Sequence, residues 1–312
     1  MDNISSPHFL TVTALNEWDW TSRIIFFSFA LSGYLLTIVL NAALIMIIAF
    51  EKALHEPMYI FLCNLCVNDL CGSTGFYPRA LVYLLTETNR ISFEECIVQS
   101  IVIIVYGAGE FSNLSVMAVD RYIAICQPLR YHSIMSPFTV WSLVTFIWIY
   151  PCFLSIMAIL VAMKYPFCRH DIVKLFCENL SLVNLQCKQD NLNRIFNGWM
   201  YVTAIVLISF VLISYFKIIL ACRKSKVNQE KFFSTCVPHL ISFLNYIACV
   251  FFDSSQTELR AKTLPHMLYT FLTVIFLIVP PVVNPVIYGI KLSPVRAKIL
   301  CIFRSFRIKT PL

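Results

Sequence analysis

Seven apolar blocks govern what this chain can become. They run near Ile24–Phe50, Met58–Leu84, Cys96–Cys126, Phe138–Ala162, Phe196–Leu220, Phe233–Phe252 and His266–Ile290. A helix that crosses a bilayer needs about 20 mostly apolar residues, and each block is long enough. No water is available in hydrocarbon, so a spanning segment must satisfy its own backbone, which a helix does. The links between blocks are short, so the blocks pack as one antiparallel bundle and not as separate soluble domains. Only 13% of the 312 residues are charged, about half the share of an ordinary soluble domain.

Orientation follows from the basic residues. With Met1 outside, cytoplasmic segments hold 14 of the 24 Lys and Arg against four acids, Glu51, Glu56, Asp120 and Glu230. Excess Lys and Arg mark the cytoplasmic side. The net charge of +7 is thereby scattered over membrane loops, which argues against a nucleic-acid partner. The first 23 residues lack a basic n-region and a compact apolar h-region, so the first span is expected to act as its own insertion signal. Three segments are expected: an extracellular tail (1–23), a seven-helix membrane domain (24–290) and a cytoplasmic amphipathic helix with tail (291–312). Asn3 opens a glycosylation sequon in the outer tail, and Asn179 opens another in an outer loop.

Polar residues inside apolar spans are costly and direct attention to function. Asn41 in the first span needs a partner helix. The second span holds Asn64, Asn68 and Asp69, and Pro78 is expected to kink its outer part. Cys63 and Cys66 form a CxxC with no second ligand pair nearby, so they read as small packing residues. On the third span, Ile103, Gly107, Glu110, Met117 and Arg121 share one helical face, apolar outside and polar inside. Asp69 and Glu110 can meet across two helices and share a proton or a monovalent cation. His239 reads as an interhelical hydrogen-bonding group, since no metal-ligand spacing surrounds it. Pro280, Pro281 and Pro285 must kink the last span, which survives in lipid only if neighbours take the freed carbonyls. Leu292–Ile308 is basic and amphipathic and reads as an interfacial helix, with Cys301 a palmitoylation candidate. Four cysteines lie on the outer side, Cys96, Cys168, Cys177 and Cys187, and their three pairings stay open.

Asp120-Arg121-Tyr122 alone would read as an interfacial anchor. Together with seven spans, Asn284-Pro285-Val286-Ile287-Tyr288 and Cys96 at the outer end of the third span, it resembles the rhodopsin-like G-protein-coupled receptors. Narrower motifs resemble the odorant (olfactory) receptors: Leu54-His55-Glu56-Pro57-Met58-Tyr59, Met117 through Cys126, Ser214-Tyr215, Phe233-Ser234-Thr235-Cys236 with His239-Leu240, Pro280 through Pro285, and Glu110. The chain departs from that pattern at Leu40, Val119 and Tyr246-Ile247.

The resemblance implies an all-α membrane protein, a seven-transmembrane helix bundle with a short eighth helix, that is not an enzyme. It implies disulfides Cys96–Cys177 and Cys168–Cys187, and a sodium-type cation at Asp69 and Glu110 as the one candidate cofactor. It places an odorant pocket in the outer half, with Ile103, Ile104, Gly107, Trp199, Met200, Thr203, Ala248, Phe251 and Phe252 as candidates. Its switch set is Asp120, Arg121, Tyr122, Tyr215, Lys231, His239, Asn284, Pro285 and Tyr288, facing a heterotrimeric G protein of the stimulatory olfactory type that raises cAMP. The expected location is the plasma membrane of sensory cilia. No lysine occurs between Lys262 and Lys291, so a retinal Schiff base on the last span is excluded. A non-olfactory receptor of the same superfamily is the alternative. A channel or transporter would want inverted repeats and paired broken helices, and the chain has neither.

Overall fold

A computed structural model describes residues 8–86, 88–188, 191–222, 232–259, 266–292 and 295–298. Seven long helices run through these residues: α1 (Trp20–Phe50), α2 (Pro57–Leu85), α3 (Phe93–Cys126), α4 (Pro137–Ala162), α5 (Asn191–Cys222), α6 (Val237–Leu259) and α7 (His266–Lys291). Local chemistry sets their ends. Ser92 and Glu95 form a reciprocal capping box at the start of α3. Pro57 and Pro137 occupy first turns, where a missing N–H costs nothing. A π-helical turn, Phe232–Cys236, precedes α6, so α6 proper begins later than the apolar pattern suggests.

Five of these helices, α1, α3, α4, α5 and α7, are long and apolar enough to cross a membrane by composition. The other two fall short for different reasons. Asn64, Asn68 and Asp69 dilute α2, whose polar groups turn inward and bond to neighbouring helices. Of α6, the apolar stretch found among the described residues is Val237–Asp253. All seven nonetheless form one bundle, as the apolar blocks require.

Two apolar clusters fill the bundle, and a polar layer separates them. On α2 the outer cluster begins at Phe76 and the inner one ends at Cys66. On α3 the gap lies between Tyr106 and Leu114, and on α7 between Leu277 and Tyr288. Asn68, Asp69, Ser73, Glu110, Asn113 and Asn284 occupy those gaps, all buried. The proline kink in α7 is repaired there. Pro285 has no N–H for the Pro281 carbonyl, and Asn41 Nδ2 donates to that carbonyl at 2.8 Å. Pro280 likewise frees the Phe276 carbonyl, and the Tyr106 hydroxyl donates to it at 3.0 Å.

The amino-terminal end of the bundle, expected to face outward, holds a feature the sequence reading lacked. Strand β1 (Phe9–Val12) pairs antiparallel with β2 (Arg90–Ser92) and parallel with β3 (Asp171–Ile172), in the order β2-β1-β3. Residues 9–15 of the amino-terminal segment are thus built into the structure, with Leu10, Val12, Ala14 and Leu15 buried in the outer cluster. Cys96 is bonded to Cys177 and Cys168 to Cys187, with Cα separations of 5.3 and 4.7 Å. The first bond fixes the second outer loop to the top of α3. Gln99 reinforces it, accepting from the Cys177 N–H at 2.8 Å and donating to the Gly75 carbonyl at 2.9 Å. On the inner side, Lys298 pairs with Glu51, tying the short helical stretch after α7 to the first inner loop. The rest of the expected eighth helix, including Cys301, lies outside the described residues.

Candidate functional site

Three stations on α3, one above another, make up the site. The innermost is Arg121, 5% exposed although it carries a permanent charge. A guanidinium is tolerated out of water only when paired and hydrogen-bonded. Its Nε donates to Asp120 Oδ2 at 2.9 Å, and Nη2 donates to the same oxygen. The Tyr131 hydroxyl, from a four-residue helix at Tyr131–Ile134, donates to Asp120 Oδ1 at 2.7 Å. Both carboxylate oxygens are therefore engaged. Burial, then the neighbouring Asp120 charge, raises the Tyr131 pKa, so the phenol stays a donor.

Beside Arg121, the Tyr215 hydroxyl bonds to His239 Nδ1, and the two rings stack at 5.5 Å between centroids. His239 Nε2 lies 2.9 Å from the Leu114 carbonyl. A carbonyl only accepts, so Nε2 carries the proton and Nδ1 accepts from Tyr215. The histidine thereby joins α3, α5 and α6. Tyr288 is buried among the same inner residues, and Tyr122 is half-buried with Lys217 Nζ 5.9 Å from its ring centre. Lys231 lies outside the described residues.

The middle station is the polar layer. Asn284 Nδ2 donates to Glu110 Oε1 at 2.8 Å and to Asp69 Oδ2 at 3.2 Å, so one amide bridges two carboxyl groups. Asn68 Nδ2 donates to the other Glu110 oxygen at 3.2 Å and to the Tyr106 carbonyl at 3.0 Å. A carboxylate at mid-membrane costs about 2.5–3.5 kcal/mol on insertion scales, and these donors offset part of it. Asp69 Oδ1 and Asn68 Oδ1 are buried without a hydrogen-bond partner. An all-oxygen set of this kind suits a hard monovalent cation. Among the described residues no cluster of three His, Cys, Asp or Glu forms, so a transition-metal centre is not built here. Pro285 follows Asn284 within α7.

Above this layer α3, α4, α5, α6 and α7 line a cavity of about 460 Å³ that is open on one side. Its wall is mostly apolar: Ile104, Gly107, Ala108 and Phe111 of α3, Leu154 of α4, Met200, Ala204 and Ile208 of α5, Val250 and Phe251 of α6, and Phe276 of α7. Tyr246 stands at its floor, its hydroxyl donating to the Gly107 carbonyl at 2.8 Å. Volume and lining fit a small, largely apolar ligand.

The family model described as olfactory receptor matches residues 29–305. Olfactory receptor 2C1 of Mus musculus is 35% identical over 88% of each chain. Olfactory receptor 1M1 of Mus musculus is 34% identical over 86% of each, and olfactory receptor 52D1 of Homo sapiens is 33% identical over 86% of this chain and 85% of its own. The chain belongs to the olfactory receptor family. A member of that family is a multi-pass membrane signalling receptor and not an enzyme.

The receptor's cavity gathers five of the nine residues named from its sequence, Ile104, Gly107, Met200, Thr203 and Phe251. The other four stand elsewhere. Ile103 turns into the outer apolar cluster, while Trp199, Ala248 and Phe252 face outward, away from the bundle. Large apolar residues stand on both the lipid side and the cavity side of these helices near those positions, and periodicity cannot tell the two faces apart there. Sequence reasoning passed over Ala108 and Phe111, although both continue the α3 stripe one and two turns inward of Ile104. It also passed over Tyr150 and Leu154 of α4, and Asp253, the charged residue on the wall. Asn3 lies outside the described residues. The Asn179 amide donates to Asn197 Oδ1 at 3.2 Å at the start of a short helix, Asn179–Leu185.

Proposed function

We propose that this receptor binds a small odorant in the outer cavity and activates a heterotrimeric G protein of the stimulatory olfactory type, raising cAMP. One observation carries the reading: the cavity wall, the polar layer and the buried Arg121 all have members on α3, within residues 104–121. A ligand that prefers a rearranged cavity shifts the bundle by its differential affinity and no more. We read the Arg121–Asp120 pair and the Tyr215–His239 bond as the resting latch. In the active arrangement the inner end of α6 moves out, Arg121 turns toward Tyr215, and the crevice with Lys231 takes the carboxy-terminal helix of the α-subunit. Tyr122, Asn284, Pro285 and Tyr288 complete the coupling set. Asp69 and Glu110 would hold a sodium ion, whose charge offsets two buried carboxylates. In this reading residues 1–23 lie outside, 24–290 span the plasma membrane of sensory cilia, and 291–312 lie beneath it, with Asn3 glycosylated.

The test is cAMP accumulation in cells carrying an olfactory stimulatory α-subunit. An odorant panel should raise cAMP, Arg121→Ala should abolish the response, and Ala204→Trp, which fills the cavity, should block it. A response that survives both substitutions at normal surface level overturns the reading.

A further inference from the structure

The cavity wall carries a charged group that the apolar reading leaves unused. Asp253, near the outer end of α6, lines the cavity. Its Oδ1 accepts from Lys174 Nζ at 2.7 Å, and Lys174 also pairs with Glu178 Oε1 at 2.8 Å. Lys174 comes from the second outer loop, its side chain is 5% exposed, and its ammonium lies 5.3 Å from the centre of the Phe176 ring. Burial pulls the pKa of Lys174 down, but the Glu178 and Asp253 charges outweigh it and hold the group above its ordinary value. The cation is therefore permanent at neutral pH. One cation lies between two carboxylates, so with both ionised the roof of the cavity, among the described residues, is one positive charge short.

Of the other polar groups on the wall, two are committed. The Thr203 hydroxyl donates to the Met200 carbonyl at 2.8 Å, and the Tyr246 hydroxyl donates to Gly107. A charge deficit among low-dielectric walls is costly, and an incoming cation corrects it. Lys174 keeps Glu178 if Asp253 turns to a ligand, so the exchange leaves no ammonium unpaired. On α3 the matching depth is apolar, Ile103 and Ile104, so the anchor comes from α6 alone.

We propose that the cavity selects small hydrophobic amines, the ammonium pairing with Asp253 and the hydrocarbon filling the space down to Phe111 and Tyr246. The inference rests on the cavity being the odorant site. The test compares alkyl and arylalkyl amines with alcohols and carboxylic acids of equal length, read as cAMP and normalised to surface receptor. Amines should be the most potent class. Asp253→Asn should weaken them by roughly tenfold to a hundredfold, the worth of a charged hydrogen bond, while Asp253→Glu retains them. Glu178→Gln leaves the Lys174–Asp253 pair in place and removes the charge deficit, so it should weaken amines as well, which covers a folding failure of Asp253→Asn. Silence toward every amine, or amine responses unmoved in both charge-neutral variants, overturns the proposal. Ala204→Trp separates the two readings. If it blocks responses that Asp253→Asn leaves intact, only the amine assignment falls. If it blocks none, the cavity itself is the wrong site.

Discussion

Replacing Asp120 with Asn tests the resting latch directly. The substitution keeps the shape of the side chain but removes the charge that Arg121 meets through two donors. The amide oxygen can still accept from one side, whereas Tyr131 and Arg121 together occupy both oxygens in the native structure. A hydrogen bond to a charged group contributes about 1.5–3 kcal/mol, and at about 1.4 kcal/mol per decade this is a roughly 10- to 150-fold shift between resting and active states. A receptor that is active about 1% of the time would rise to somewhere between about 10% and 60%. The assay is basal cAMP without odorant, divided by surface receptor counted with an epitope tag. Tyr131→Phe removes only one neutral donor and should raise the basal signal less. The reasoning is refuted if Asp120→Asn reaches the surface and its basal signal equals the native one.

Other substitutions probe packing and the outer scaffold. A Cβ on Gly72 would meet Tyr106 Cβ at 2.9 Å, whereas one on Gly198 would meet nothing within 4 Å. Gly72→Ala should therefore destabilise the detergent-solubilised receptor by about 1–3 kcal/mol through overpacking, and Gly198→Ala should be neutral or better. Equal melting of the two would sink the close-approach argument. Asn41→Ala frees the Pro281 carbonyl and should lower thermal stability by about 0.6–1.7 kcal/mol, the range found for hydrogen bonds between membrane helices. Cys177→Ser opens an 81-residue link, and Cys187→Ser a 19-residue one. Either should cut surface expression, since a native disulfide contributes about 2–5 kcal/mol, and full expression of both would contradict the scaffold role.

The bundle was legible in the sequence because hydrocarbon enforces long apolar segments whatever their neighbours. The polar layer was legible for the same reason, as Asp69, Glu110 and Asn284 are conspicuous against an apolar background. Less legible was anything decided by a partner far along the chain. Phe9–Val12 is four residues long and pairs with strands of three and two residues, too short for periodicity to register. Lys174 is one basic residue in an outer loop until Asp253, 79 positions later, gives it meaning. The cavity wall on α4 was invisible because Tyr150 and Leu154 differ from their lipid-facing neighbours only in direction. The start of α6 shifted because Phe232–Cys236 winds as a π turn, which hydropathy does not record.

The geometry of α6 carries a last prediction, about how a cavity event could reach Arg121. Among the described residues two polar bonds hold α6 to α3: Tyr246 to the Gly107 carbonyl under the cavity, and His239 to the Leu114 carbonyl near Arg121. Seven residues separate the two attachment points on each helix, so the bonds lie two turns apart along both. An outward swing of the inner end of α6 must break the His239 bonds to Leu114 and Tyr215. It can leave the Tyr246 bond intact as a pivot. His239→Phe keeps ring volume and deletes the inner attachment, leaving the Leu114 carbonyl and the Tyr215 hydroxyl without this partner in the resting state. The Leu114 carbonyl keeps its own helix N–H, but the orphaned Tyr215 hydroxyl costs about 1–3 kcal/mol, so basal cAMP should rise about fivefold or more. Tyr246→Phe deletes the pivot instead, and should reduce the odorant response while leaving basal signalling near native. Coupling needs an element with two arrangements that both sites bias, and α6 hinged at Tyr246 supplies one. If both variants change basal and odorant-driven cAMP in the same direction and proportion, the two bonds are mere packing contacts and the hinge fails.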